Sequence, residues 1–109
     1  MSWTVKYLEE AQEDLKRLDK TARIQVINGI RKVLHNPLPA SEGGYGKSLG
    51  NKREMKLAGF CKIKFSSLGI RVVYKLIREE NNMLIVVVSV RADEEVYKEA
   101  AKRKNKYNL

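Results

Sequence analysis

The chain has 109 residues, 43% of them apolar, and a formal charge of +9 from 22 Lys and Arg against 13 Asp and Glu. That is enough apolar material for one domain, 1–109, around one core. The longest apolar run, 83–88, is far short of the roughly 20 residues that cross a bilayer. No apolar h-region follows Met1, so no secretory signal is expected; the single Cys61 cannot form an internal disulfide, and no Cys/His spacing points to zinc. The expectation is a small, basic, cytoplasmic domain with no membrane partner and no cofactor.

Trp3, Val5 and Tyr7 alternate with polar neighbours, the period of a half-buried strand. Leu8, Ala11, Leu15 and Leu18 recur at helical spacing, which puts Glu9, Glu10, Glu13, Asp14, Lys16 and Arg17 on the solvent face. Asp19 or Thr21 can cap a second helix with Ile24, Ile27, Ile30 and Leu34 as its apolar stripe. Asn36-Pro37 ends it, because the residue before a proline avoids the α region. His35 then sits at the helix C-terminus, where an imidazolium is favoured. Residues 38–52 hold Pro39, Gly43, Gly44, Gly46 and Gly50 and read as mostly loop. Residues 60–65 place Cys61, Ile63 and Phe65 on one strand face and Lys62 and Lys64 on the other. A turn at 66–69 leads to a return strand at 70–77. A second turn at 79–82 leads to a strand at 83–90, apolar on both faces and hence central. Asp93 reads as the N-cap of a short helix, with Glu94 and Glu95 favouring its dipole. That helix carries Val96, Tyr97, Ala100 and Ala101 and ends in the basic run Lys102-Arg103-Lys104. The order is β-α-α-β-β-β-α. It specifies an α+β fold, with helices packed on one face of a largely antiparallel four-stranded sheet.

The charge is uneven. Residues 1–46 carry 7 basic and 6 acidic side chains, whereas residues 47–109 carry 15 and 7. A surplus of that kind points the second half at a polyanion, nucleic acid first, because clustered Lys and Arg release condensed counterions from phosphates. Lys47, Lys52, Arg53, Lys56, Lys75, Lys102 and Arg103 are the residues expected to meet RNA or a ribosome. The plainer reading is that a lysine-rich surface keeps a small protein in solution.

Lys62 and Lys64 share a strand face about 7 Å apart. Arg71 opens the next strand, Arg91 closes the third, and Tyr97 lies one turn into the last helix. These five can deliver four cations and a phenol to one surface. Each also has a structural reading: Lys as a guard against edge pairing, Arg71 or Arg91 as partners of nearby glutamates, Tyr97 as packing. Cys61 reads as buried and inert. One histidine supplies no two-imidazole acid–base pair, and no carboxylate pair sits in the positive region to hold magnesium. Metal-free phosphoryl chemistry on RNA fits such a set, with the 2′-hydroxyl attacking the adjacent phosphate while cations stabilise the dianionic transition state. A lysine base needs its pKa brought below about 10.4, and each cation about 7 Å away contributes roughly 2 kcal/mol toward that at an effective dielectric of about 20.

The stretches Gly59-Phe60-Cys61-Lys62-Ile63-Lys64-Phe65 and Gly69-Ile70-Arg71-Val72-Val73-Tyr74 resemble the core of RelE-type toxins, of the RelE/ParE superfamily of type II toxin–antitoxin systems. Val88-Ser89-Val90-Arg91, Glu95-Val96-Tyr97 and Glu99-Ala100-Ala101-Lys102-Arg103 resemble its end. The resemblance implies an mRNA interferase that cuts messenger RNA in the ribosomal A site without metal. It implies Lys62 and Lys64 as the paired strand lysines, with Lys64 a candidate base. Arg71 would hold the scissile phosphate, Arg91 would be acid or clamp, and Tyr97 would stack on or orient the base. Against the family, this chain is shorter between Val90 and Arg91 and longer over 43–57. The implied partners are an acidic, partly disordered antitoxin, the ribosome and mRNA, with DNA reached only through the antitoxin. A ParE-like gyrase inhibitor, a degenerate toxin and a non-catalytic RNA- or ribosome-binding module remain as alternatives.

Overall fold

The structure is a computed structural model that describes residues 2–50 and 55–109. Its elements are β1 (Thr4–Tyr7), α1 (Glu9–Arg17), α2 (Lys20–Leu34), β2 (Lys47–Gly50), β3 (Leu57–Phe65), β4 (Ile70–Ile77), β5 (Asn82–Ser89) and α3 (Asp93–Tyr107). The five strands form one sheet in the order β1-β5-β4-β3-β2, with β1 parallel to β5 and the other pairs antiparallel. The α+β class is as expected, with one strand more. Of the strand expected to be central, β5 is interior, between β1 and β4, while β4 takes the middle position. Among the described residues no helix is long and apolar enough to cross a membrane.

The additional strand, β2, falls in the segment read as loop. It pairs with β3 through Lys47 opposite Lys62 and Ser48 opposite Cys61, and it buries Leu49. With only one apolar side chain in four residues it carries no alternation to read. The long β3 beside it supplies the hydrogen bonds that make it a strand.

In α2 the Asp19 carboxylate accepts from the Ala22 amide at 2.8 Å, so Asp19 is the cap. Val26, Ile30 and Val33 face the core, while Ile24 is 49% exposed. The stripe expected through Ile24 and Ile27 is therefore rotated. Both apolar series have helical spacing, and the contact with β3 decides between them. A Cβ on Gly29 would lie 2.3 Å from the Phe65 ring, so α2 seats on β3 where it has no side chain.

Phe65 and Cys61 point to the α2 side, and Lys62 and Lys64, of opposite parity, point away. It is on that second face that α3 lies, since Tyr97 reaches Lys62. The expectation of helices on one face holds for α2 and fails for α3. A single apolar cluster spans these layers. Within it Cys61 is buried, and burial pushes its thiol pKa up. The Tyr74 hydroxyl donates to the Pro37 carbonyl at 2.8 Å and pins the 35–46 loop. Gly46 lets that loop approach, because a Cβ there would lie 2.3 Å from the Tyr74 oxygen.

Candidate functional site

Strand register places the expected residues in two rows. Lys64 lies opposite Arg71, which lies opposite Ser89, and Lys47 lies opposite Lys62, which lies opposite Val73. Cross-strand partners share a face, so Lys47, Lys62, Lys64 and Arg71 stand together on the α3 side. Helix α3 enters this face at its first turns. The Lys62 ammonium donates to the Tyr97 hydroxyl at 3.0 Å and stands 5.7 Å from the ring centroid. Tyr97 is only 5% exposed. It positions Lys62 from within, and stacking on a base would require α3 to move.

Asp93 is the residue at this site that the sequence reading misassigned. The N-cap of α3 is Ala92, which makes no side-chain cap, and Asp93 is the first helical residue. Its carboxylate turns back to the sheet instead. One oxygen accepts from Arg71 Nε, and the other lies 3.8 Å from Lys62 Nζ. Burial opposes its charge, but Lys62, Arg71 and Lys64 outweigh that and hold the carboxyl pKa below the usual range. Arg71 also donates from Nη1 to the Arg91 carbonyl at 2.9 Å. Among the described residues Lys64 and Lys47 are exposed with no hydrogen-bond or ion-pair partner, and of the two Lys64 stands directly beside Arg71.

Arg91 joins the cluster only through its backbone. Its side chain lines a cavity of about 400 Å³, with Arg17, Glu95 and Glu99 on the other walls. Of the residues expected to meet RNA, Lys47, Lys56 and Lys102 are exposed. Lys75 is tied to the Leu109 carbonyl at 2.6 Å and packs over the Phe60 ring. Lys52 and Arg53 lie outside the described residues.

Arg103 corrects the expectation made for it. Its side chain is 10% exposed and donates to both Asp14 oxygens, to Glu99 and to the Val86 carbonyl. Burial lowers the Arg103 pKa, but the Asp14 and Glu99 carboxylates outweigh it and raise the pKa overall. Asp14, read as a solvent-face residue, is equally buried and also accepts from the Val88 amide at 3.0 Å. The pair closes a gap in the sheet. β1 covers β5 only from Asn82 to Ile85, and the register with β4 skips Val86. Beyond Ile85 β5 still pairs with β4, but its other edge has no strand, and there Asp14 accepts from the Val88 amide and Arg103 donates to the Val86 carbonyl.

With this geometry in view, residues 5–97 match the family model for the ParE toxin of type II toxin–antitoxin systems, parDE. The mRNA interferase toxin RelE of Escherichia coli strain K12 is 31% identical over 106 residues, covering 94% of this chain and 98% of that protein. A second Escherichia coli protein, named as RelE-like, is 31% identical over 107 residues with the same coverage. Among solved structures, a mutant of E. coli toxin RelE in the free state matches with a TM-score of 0.74 and 30% identity, over 94% of this chain and 98% of that one. A mutant of that toxin in complex with a peptide of antitoxin RelBc matches with a TM-score of 0.68 and 27% identity, over 92% and 95%. Sequence, fold and family model agree over nearly the whole length, and the chain belongs to the RelE/ParE toxins of type II toxin–antitoxin systems.

Proposed function

We propose that this toxin is an endoribonuclease that cleaves mRNA in the ribosomal A site and so stops translation. The observation that carries the reading is the convergence of Lys62, Lys64 and Arg71 on one sheet face, with Tyr97 bonded to Lys62. The similarity to the RelE mRNA interferase supports it.

The chemistry needs no metal. The substrate 2′-oxygen attacks the adjacent phosphorus, the bond from phosphorus to O5′ breaks, and the products are a 2′,3′-cyclic phosphate and a 5′-hydroxyl. Arg71 and Lys62 neutralise the non-bridging oxygens, whose charge grows in the transition state. Lys64 in its amine form takes the 2′-hydroxyl proton. The Tyr97 oxygen accepts from Lys62 and holds that ammonium at the phosphate, while the leaving oxygen takes its proton from solvent. Arg91 serves as a second clamp only once its side chain swings in from the cavity it lines. Lys47, Lys52, Arg53, Lys56 and Lys102 hold flanking phosphates or ribosomal RNA. The protein works in the cytoplasm, silenced by a cognate antitoxin whose acidic segment covers the basic face.

Expression in bacteria with mapping of new mRNA 5′ ends tests this. Wild type gives discrete cuts in phase with codons in translated messages, and Lys64→Ala reduces them at least about 100-fold. The family model bears the ParE name, so a ParE-like gyrase inhibitor is the second reading. Growth arrest with uncut messages and loss of DNA supercoiling would install it instead. Uncut messages with neither effect would leave a binding module.

A further inference from the structure

We propose that Asp93 is an internal stand-in for the RNA phosphate, which the substrate must displace before it can be held. The proposal rests on the phosphate-binding reading of Lys62 and Arg71. Both residues are engaged in the structure, and by the same anion: one Asp93 oxygen accepts from Arg71 Nε and the other faces Lys62 Nζ at 3.8 Å. Two oxygens of one acid bridging a guanidinium and an ammonium is the pattern a phosphate would make with them. The Arg71 and Lys62 side chains are 19% and 16% exposed, while Asp93 is 43% exposed. The cations are thus the inner members of the cluster, and the carboxylate covers them from the solvent side.

Position in the fold makes the exchange possible. Asp93 is the first residue of α3, just past an exposed Arg91-Ala92 connection, and no cap hydrogen bond commits its side chain to the helix. A rotation of that side chain opens the seat without unfolding the helix. Arg71 stays anchored during the exchange by its second bond, to the Arg91 carbonyl, and Lys62 by Tyr97. The carboxylate therefore does two things. It keeps two partly buried cations paired and oriented while the site is empty, and it lowers affinity for any phosphate that must compete with it.

The test measures binding of a short 2′-O-methyl oligoribonucleotide, which cannot be cleaved, across a salt series. The proteins are wild type, Asp93→Asn, Asp93→Glu, Arg71→Ala and the double variant Asp93→Asn/Arg71→Ala, each checked for folding by thermal melting. Asp93→Asn should bind about tenfold or more tighter, with a slope of log K against log salt steeper by about 0.7. Asp93→Glu, which keeps the charge, should stay near wild type, and the double variant should lose the gain. A folded Asp93→Asn that binds no tighter overturns the stand-in. If Arg71→Ala nonetheless weakens wild-type binding, the phosphate seat itself survives. If Arg71→Ala changes nothing in either background, the seat and the stand-in fall together.

Discussion

Two clusters in this molecule use the same chemistry, an aspartate bonded to an arginine across elements, and burial separates their roles. At Asp14–Arg103 the side chains are 6% and 10% exposed and bond the sheet backbone at Val86 and Val88, with the exposed Arg17 reaching Asp14 only from the rim at 3.1 Å. At Asp93–Arg71 the carboxylate is 43% exposed, and an unpaired Lys64 stands beside it. A closed pair that completes backbone hydrogen bonds belongs to the fold. An open pair on a face of surplus positive charge can exchange its anion. Charge alone did not distinguish Arg103 from Arg71, but solvent access and backbone partners do.

The sharpest way to break the comparison is to cut each pair and ask what is lost. Arg103→Ala leaves the buried Asp14 with only Arg17 as an ion-pair partner and the Val86 carbonyl unsatisfied, and it should cost about 3 kcal/mol in urea unfolding. An apolar double replacement, Asp14→Leu with Arg103→Met, restores packing but still leaves Val86 and Val88 without their partners. It should recover only part of the loss. Full recovery would mean that the pair does nothing for the sheet edge. The Asp93→Asn variant proposed above is the counterpart at the open pair, where stability should barely move and oligonucleotide binding should strengthen.

A smaller effect is expected at Tyr97. Tyr97→Phe keeps the ring in the core and removes only the oxygen that accepts from Lys62. Stability should fall by about 1 kcal/mol, while cleavage should fall about tenfold or more through a Lys62 released from its position. If cleavage is unchanged while stability drops, Tyr97 is a packing residue, as the plainer sequence reading allowed.

These assignments show which parts of the molecule were readable in the sequence. Lys62 and Lys64 were, because strand parity puts both on one face. That Arg71 and Tyr97 join them depended on the β3–β4 register and on the side taken by α3, which spacing does not carry. β2 was not, since Leu49 is its only buried residue and its existence depends on β3. The α2 face was not, because two apolar series compete and only Phe65 against Gly29 selects one. The partners of Asp14 and Asp93 were least readable. Arg103 is 89 residues from Asp14, and Arg71 is 22 from Asp93, so helical or strand spacing carries no trace of either pairing. Local rules favour acids in a first helical turn, and that sufficed to explain Asp93 without its true partner.

The smallest effect sits where α1 and α3 meet at the surface, and it extends the comparison to a third pair, whose Lys106 is 64% and Glu10 26% exposed. Glu10 accepts from Lys106 at 2.7 Å and from the Tyr107 hydroxyl at 2.6 Å. These two bonds bring its pKa from 4.5 down to about 2. A carboxyl whose folded pKa lies below its unfolded value stabilises the fold above the unfolded value, and the contribution disappears as pH falls through the folded one. The stabilisation is therefore complete above about pH 4.5 and gone near pH 2. Melting curves of wild type and Glu10→Gln should coincide near pH 2 and separate above pH 4.5, with wild type higher by about 2 °C. Because the tie is exposed, molar salt should close most of that gap, whereas the Arg103→Ala deficit should persist in salt. A gap at Glu10 that ignored salt would mean that openness to solvent does not sort these pairs, and the distinction drawn between Asp14–Arg103 and Asp93–Arg71 would lose its physical basis.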